Sequence, residues 1–300
     1  MNKKITKQNY NAFTKILLET LMCTVLFNLA VLIPITSFGL LIYKIKNVPL
    51  FRKKEWLAVT VLSMVIIGGI NIYIIPESYQ IGVDFFSKES LLNAAGYALI
   101  FLPIEILYYI FNGTKLRIPV FDRIIITTII AAFAGYAYIQ MLNIDGKILK
   151  EILTEVNKID SKDADILLAF MKKYAFSIIY TYMGMITYLT YYSFGKKSYK
   201  YWRISYQWLL LYIIPFFIMR FGHIHNLYLE NIMFMVKISF VVYGIKIVYN
   251  FIRLKINSDL ICQVLAVMIG FSFQNITFII AGLLSFEAIK IKIIRGNGGK

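Results

Sequence analysis

Cysteine, histidine and acidic side chains are all scarce in this chain, and each scarcity closes off a class of function. The two cysteines, Cys23 and Cys262, both lie inside apolar runs, so neither a disulfide framework nor a cysteine metal site is implied. The two histidines, His223 and His225, stand in RFGHIHNLYLE with Glu230 following. His-x-His with one glutamate resembles a metal-ligand set in composition only. Catalytic zinc needs three fixed ligands and an open fourth position, and no HExxH accompanies these residues, so no metal is called for. There is also no phosphate-binding glycine loop, serine nucleophile elbow, paired-Asp motif or redox cysteine pair. The chain therefore reads as a non-enzyme that needs no cofactor. Internal repeats and low-complexity linkers are absent too.

Sixteen acidic residues stand against 32 basic ones, a formal net charge of +16. A nucleic-acid partner does not follow. The Lys and Arg residues sit in short loops between apolar runs, as the positive-inside rule of membrane proteins requires. No basic, aromatic-interleaved soluble domain is present to hold RNA or DNA.

What the chain has in quantity is apolar sequence. Hydrophobic residues make up 59% and the mean hydropathy is +0.68, well above soluble domains. The expected fold is all-α: one polytopic membrane domain over residues 1–300, with eight or nine membrane helices, whose first partner is the lipid bilayer. Six central runs, 57–75, 91–111, 124–142, 174–194, 206–220 and 231–250, read as spans. The loops between them alternate in charge. Lys44, Lys46, Arg52, Lys53 and Lys54 precede the first run; Glu77, Asp84 and Glu89 follow it; Lys115, Arg117 and Arg123 come next. Lys196, Lys197, Lys200 and Arg203 form a further basic loop. That pattern puts the N-terminus inside and suits a bacterial inner membrane. The basic start followed by a long apolar run reads as an uncleaved first helix. Asn112-Gly113-Thr114 falls on the inner side, so glycosylation is not expected.

Pro34 breaks the first long run into a hairpin, with Lys44 and Lys46 snorkelling from its second arm. At the other end, residues 260–286 form either one long span or two short ones around Ser272-Phe273-Gln274-Asn275. Residues 143–173 are the one sizeable polar stretch, with six acidic and six basic side chains. Ile148, Ile152, Val156 and Ile159 recur there at helical spacing, and Asp160 is placed to cap a second helix. An external amphipathic helical hairpin is expected, lying on the bundle or the bilayer surface.

Charged and aromatic residues inside the spans are the candidate sites. Glu105 and Lys246 lie 14 and 15 residues from the outer ends of their runs, each about 21–23 Å deep, so an intramembrane ion pair is expected between them. Lys237 lies about 9 Å deep and could anchor an anionic small-molecule ligand. Tyr180, Gly184, Tyr188 and Tyr191 share one helix face, either lining a ligand site or packing against neighbours. Ala131 and Gly135 make a small-xxx-small pair for close helix packing.

The run NIMFMVKISFVVYGIKIVYNFIRLKI, with its opening Asn, Gly244 and basic exit, resembles the penultimate helix of the YybS-like bacterial membrane proteins. YWRISYQWLLLYIIP resembles that family's aromatic-Trp-Arg entry into the preceding helix, although Ser205 stands where a proline is expected. The break at Pro34 also fits, whereas GLLSFEAIKIKIIR keeps the acidic-then-Arg ending poorly. The family is similar to the substrate-binding subunits of energy-coupling-factor transporters. The resemblance therefore implies a small ligand taken from the outer side and a membrane protein partner, and it carries over no catalytic residue.

Overall fold

The structure, a computed structural model, describes residues 2–33, 36–75, 80–85, 88–113, 118–143, 146–156, 158–223 and 225–286. The expected break at Pro34 and the basic tail with Lys290, Lys292 and Arg295 lie outside those residues. One domain over 1–300 is the sequence expectation; by internal packing the chain divides into two compact units. Unit 1 is Met1–Leu116 with Ile124–Lys196, and unit 2 is Arg117–Arg123 with Lys197–Lys300.

Unit 1 opens with α1 (Asn2–Leu32), α2 (Ser37–Asn47) and α3 (Lys53–Gly69), with α1 packed against both α2 and α3. Helix α3 does not continue to residue 75 as expected. Gly68-Gly69 withdraws side-chain support from the helix, and the β-branched run INIYII that follows favours an extended chain. It forms β1 (Ile70–Ile75), paired antiparallel with β2 (Gln80–Phe85) in the register Ile70↔Phe85 to Ile75↔Gln80. At 17 residues α3 is about 26 Å long, short of a full hydrocarbon crossing.

Next come α4 (Lys88–Gly96), a π-helical turn (Tyr97–Phe101) and α5 (Leu102–Gly113). After them run α6 (Val120–Leu142), α7 (Gly146–Glu151) with a π-helical turn at Ile152–Val156, α8 (Ser161–Lys173) and α9 (Ala175–Gly195). In the stretch expected to be an external hairpin, α7 and α8 pack together and are joined by Lys150 to Asp165 at 2.7 Å. Asp160 occupies the N-cap position of α8, but its side chain makes no capping bond. Ile166, Leu167, Phe170 and Met171 form one exposed apolar face on α8. Gly135 of α6 faces α9 so closely that a Cβ there would sit 2.8 Å from the Met183 methyl, which gives the small-residue pair a packing role.

Unit 2 contains a 3₁₀ turn (Lys196–Tyr201), α10 (Gln207–Gly222), α11 (Leu227–Ile252), α12 (Asp259–Ser272) and α13 (Gln274–Ser285). Helix α11 is its centre, packed against α10, α12 and α13 around Val241, Ile245 and Ala266. Gly244 is required by that packing, because a Cβ would lie 2.8 Å from the Thr277 carbonyl oxygen of α13. The open question at 260–286 resolves as two helices bent by 103°.

Among the described residues, four stretches are long and apolar enough to cross a membrane: Ala12–Ala30, Leu91–Gly113, Val120–Leu142 and Leu227–Ile252. The bent pair makes a fifth if it is one span. The expected runs 174–194 and 206–220 do not join them. Helix α9 has the length, but its tyrosines, threonines and serines dilute its hydropathy, and α10 is only 16 residues long. A helical membrane protein is the architecture these spans define.

Candidate functional site

The chemically distinctive place in unit 1 is a buried polar cluster fed by α1, α2, α3, the first π-helical turn and α5. Helix α2 supplies Lys44. Leu40, Leu41, Ile45 and Val48 are buried, and Lys44, four residues from Leu40, falls on their face, while Lys46 points to the exposed side. Snorkelling is thus corrected for Lys44: its side chain turns into the unit and is 1% exposed.

Glu105, on the first turn of α5, is 0% exposed and accepts from Lys44 Nζ at 2.7 Å. Helix α3 contributes Trp56 and Thr60, one turn apart on the same face. Trp56 Nε1–H donates to the other carboxylate oxygen of Glu105 at 2.5 Å, and Lys44 donates to Thr60 Oγ1 at 2.8 Å. The ammonium also sits 4.9 Å from the Trp56 ring centre and 5.6 Å from that of Tyr97, within cation–π range. Tyr97 and Phe101, from the π-helical turn, close the site with Phe27 of α1 at edge-to-face distances of 5.6 and 5.9 Å. Tyr109 donates to the Ile45 carbonyl at 3.2 Å and ties α5 to α2.

Helix α1 adds Glu19 and, one turn on, Cys23, which lies within electrostatic reach of Glu19, Lys44 and Glu105. The Tyr43 hydroxyl hydrogen-bonds to Glu19. A buried ion pair with both carboxylate oxygens and the ammonium engaged is a rigid, water-excluded charge arrangement. Removing either partner alone leaves an uncompensated buried charge.

The expected Glu105–Lys246 pair is therefore corrected. Glu105 is held by Lys44 and Trp56, while Lys246, in unit 2, donates to the Trp202 carbonyl at 2.9 Å and sits 5.6 Å from the Tyr243 ring centre. Around it Phe121 packs on Trp202 and Tyr243, and Asp122 accepts from the Ser205 backbone N–H at 2.9 Å and from its hydroxyl. Residues 121–122 are thereby clamped onto residues 202–205.

Of the ligand candidates, Tyr180 and Tyr191 are buried and Tyr188 is half-buried on α9 of unit 1. Tyr191 meets Tyr108 of α5 edge to face at 5.0 Å, and Gly184 faces Thr128 of α6, so this stripe packs helices together. Lys237 is half-buried on α11 of unit 2. His223 takes a left-handed conformation (φ 51°) at the end of α10. Among the described residues no group of three or more His, Cys, Asp or Glu side chains is arranged to hold a metal ion, so His223, His225 and Glu230 do not form a ligand set.

Sequence reasoning missed Lys44, Trp56, Thr60, Glu19 and Cys23 as members of one cluster. The readable signal was the spacing of Lys44 among buried leucines and isoleucines on a helix too short to hold it at a surface. Comparison of the chain with family models, curated proteins and solved structures finds no match.

Proposed function

We propose that this chain is a multi-pass protein of a bacterial inner membrane, N-terminus cytoplasmic, that binds a small ligand in a transport-related role and performs no chemistry on it. The observation that carries this reading is the fully buried Lys44–Glu105 pair, with Trp56 and Thr60 attached. Ionisable residues inside a membrane bundle are expensive to keep, and where they persist they mark substrate or ion paths. The binding centre is accordingly assigned to this cluster in place of Lys237, Tyr180, Tyr188 and Tyr191. The resemblance to the YybS-like family supports the same class.

On this reading the candidate spans α1, α4–α5, α6, α11 and the bent pair are joined in the membrane by the shorter or more polar helices α2, α3, α9 and α10, nine membrane helices in all. Including α2 brings the basic N-terminus and the basic stretch at 52–54 to one side, which supports a cytoplasmic assignment for both. The cluster then sits towards the cytoplasmic ends of α2 and α3, since Lys44 is in the last turn of α2 and Trp56 in the first turn of α3.

One observation favours a second reading, a membrane scaffold that acts through a protein partner. The exposed apolar face of α8 is carried on an otherwise polar hairpin, as a docking helix would be. Native mass spectrometry of the gently solubilised protein, purified from its own membrane, separates the two. A discrete small-molecule adduct supports the binding subunit; a ligand-free mass with another protein chain at fixed stoichiometry contradicts it and supports the scaffold.

A further inference from the structure

Three charged side chains are buried among the described residues of unit 1: Glu19, Lys44 and Glu105. Their charges do not cancel. Lys44 is committed to Glu105 at 2.7 Å, which leaves Glu19 with no cation of its own. Glu19 is only 7% exposed, and its Oε2 is sealed from solvent without a hydrogen-bond partner. An isolated buried carboxylate is among the most costly groups a fold can contain, and such groups are kept by pairing with a positive charge.

Among the described residues, the elements around Glu19 supply no such charge. On α1 the nearest titratable groups are Lys15 and Cys23, one turn to either side. Lys15 points away to Glu55 of α3 at 3.5 Å, with more than a third of its side chain exposed. On α2 the groups are Tyr43, which hydrogen-bonds to Glu19, and Lys44, already paired; Lys46 is exposed. On α3 they are Lys53, Lys54 and Glu55, all in the first turn. Tyr97 and Glu105 complete the set reached through Cys23. Two further buried oxygens in the same unit, Ser63 Oγ and Tyr97 Oη, also have no hydrogen-bond partner. Ser63 lies on the face of α3 that carries Trp56 and Thr60, by its four- and three-residue spacing. Among the described residues, unit 1 thus buries two carboxylates against one ammonium, and it also holds buried oxygen atoms that lack partners.

We propose that Glu19 is a binding site for one monovalent cation, which neutralises the buried cluster when it is present. This adds a coupling ion to the ligand-binding reading but stands on the charge count alone, and its test involves no ligand. A proton and an alkali metal ion share the required chemistry, a single positive charge delivered to a buried carboxylate, and the experiment separates them.

The thermal midpoint of the purified full-length protein is measured in detergent at constant pH and ionic strength, with Na⁺, K⁺ or choline as the cation. A pH series in choline follows. An alkali-ion site raises the midpoint by a few degrees in Na⁺ or K⁺ over choline, by mass action on the folded state. A proton site gives no such difference, but the midpoint rises as the pH is lowered in choline. In both cases Glu19→Gln, isosteric and uncharged, abolishes the response and is at least as stable in choline as the unaltered protein. A midpoint indifferent to cation and pH overturns the proposal, as does a response that survives in Glu19→Gln. If that variant does not accumulate, the cation and pH series on the unaltered protein still decide, since indifference to both is sufficient to reject the site.

Discussion

The ammonium of Lys44 lies 2.7 Å from the carboxylate of Glu105, and solvent reaches neither. Sixty-one residues separate them in sequence, so this contact closes the α2–α3–α5 region of unit 1 upon itself. Its energetic signature is coupling. Lys44→Met or Glu105→Gln alone strands a buried charge and should cost about 3–5 kcal/mol. The double variant, which removes both charges, should cost much less than the sum of the singles. Thermal or denaturant unfolding of the four proteins measures this, and additive losses would reject the pairing.

Trp56 is tied to the pair by its indole N–H as well as by its ring. Trp56→Phe keeps most of the aromatic surface and deletes the donor to Glu105. The expected loss is about 1.5–3 kcal/mol, the scale of a hydrogen bond to a charged group. In Glu105→Gln the same substitution should cost less, because the acceptor is then neutral. An equal loss in both backgrounds would assign Trp56 to packing alone.

In unit 2 the close approach of α11 and α13 at Gly244 leaves no room for a methyl group, and the obstacle is the backbone of Thr277. Gly244→Ala should destabilise the protein by about 1–3 kcal/mol through overpacking. The midpoint of thermal unfolding checks it. An unchanged midpoint would mean that the two helices are not held this tightly.

The exposed face of α8 should behave as a surface in isolation. Ile166→Ser with Phe170→Ser should leave the unfolding midpoint nearly unaltered, within about 0.5 kcal/mol per site. Should the scaffold reading hold, the same pair of substitutions removes the co-purifying protein chain. Retention of that chain would free α8 of any docking role.

Much of this was legible in the sequence, and the failures have physical causes. Glu105 stood out as the one acidic residue deep in a central run, and the close-packed Gly135 was readable from small-residue spacing, whereas the polar residues near Phe273 left one span or two open. The partner of Glu105 was misread because depth was counted at 1.5 Å per residue along an unbroken helix. The π-helical turn at Tyr97–Phe101 alters that rise, and a lysine on a short helix was taken for a snorkelling one. The stop at Gly68-Gly69 was present in the sequence but hidden by the apolar run that continues through Ile75, where β-branched residues change the structure without changing the hydropathy. Glu19 gave little warning. It sits between Lys15 and Cys23 in a helix whose first residues are basic, and only tertiary packing shows that Lys15 is taken by Glu55.

On the proposed reading, the Lys44–Glu105 cluster binds a small molecule beyond its own side chains. The most direct measurement is native mass spectrometry of the protein from its own membrane beside the Lys44→Met, Glu105→Gln double variant, which removes both charges and whose fold should survive. A discrete small-molecule adduct is expected on the unaltered chain and absent from a double variant with a near-normal unfolding midpoint. An adduct of the same mass on both proteins would contradict that reading and leave the pair a purely structural contact.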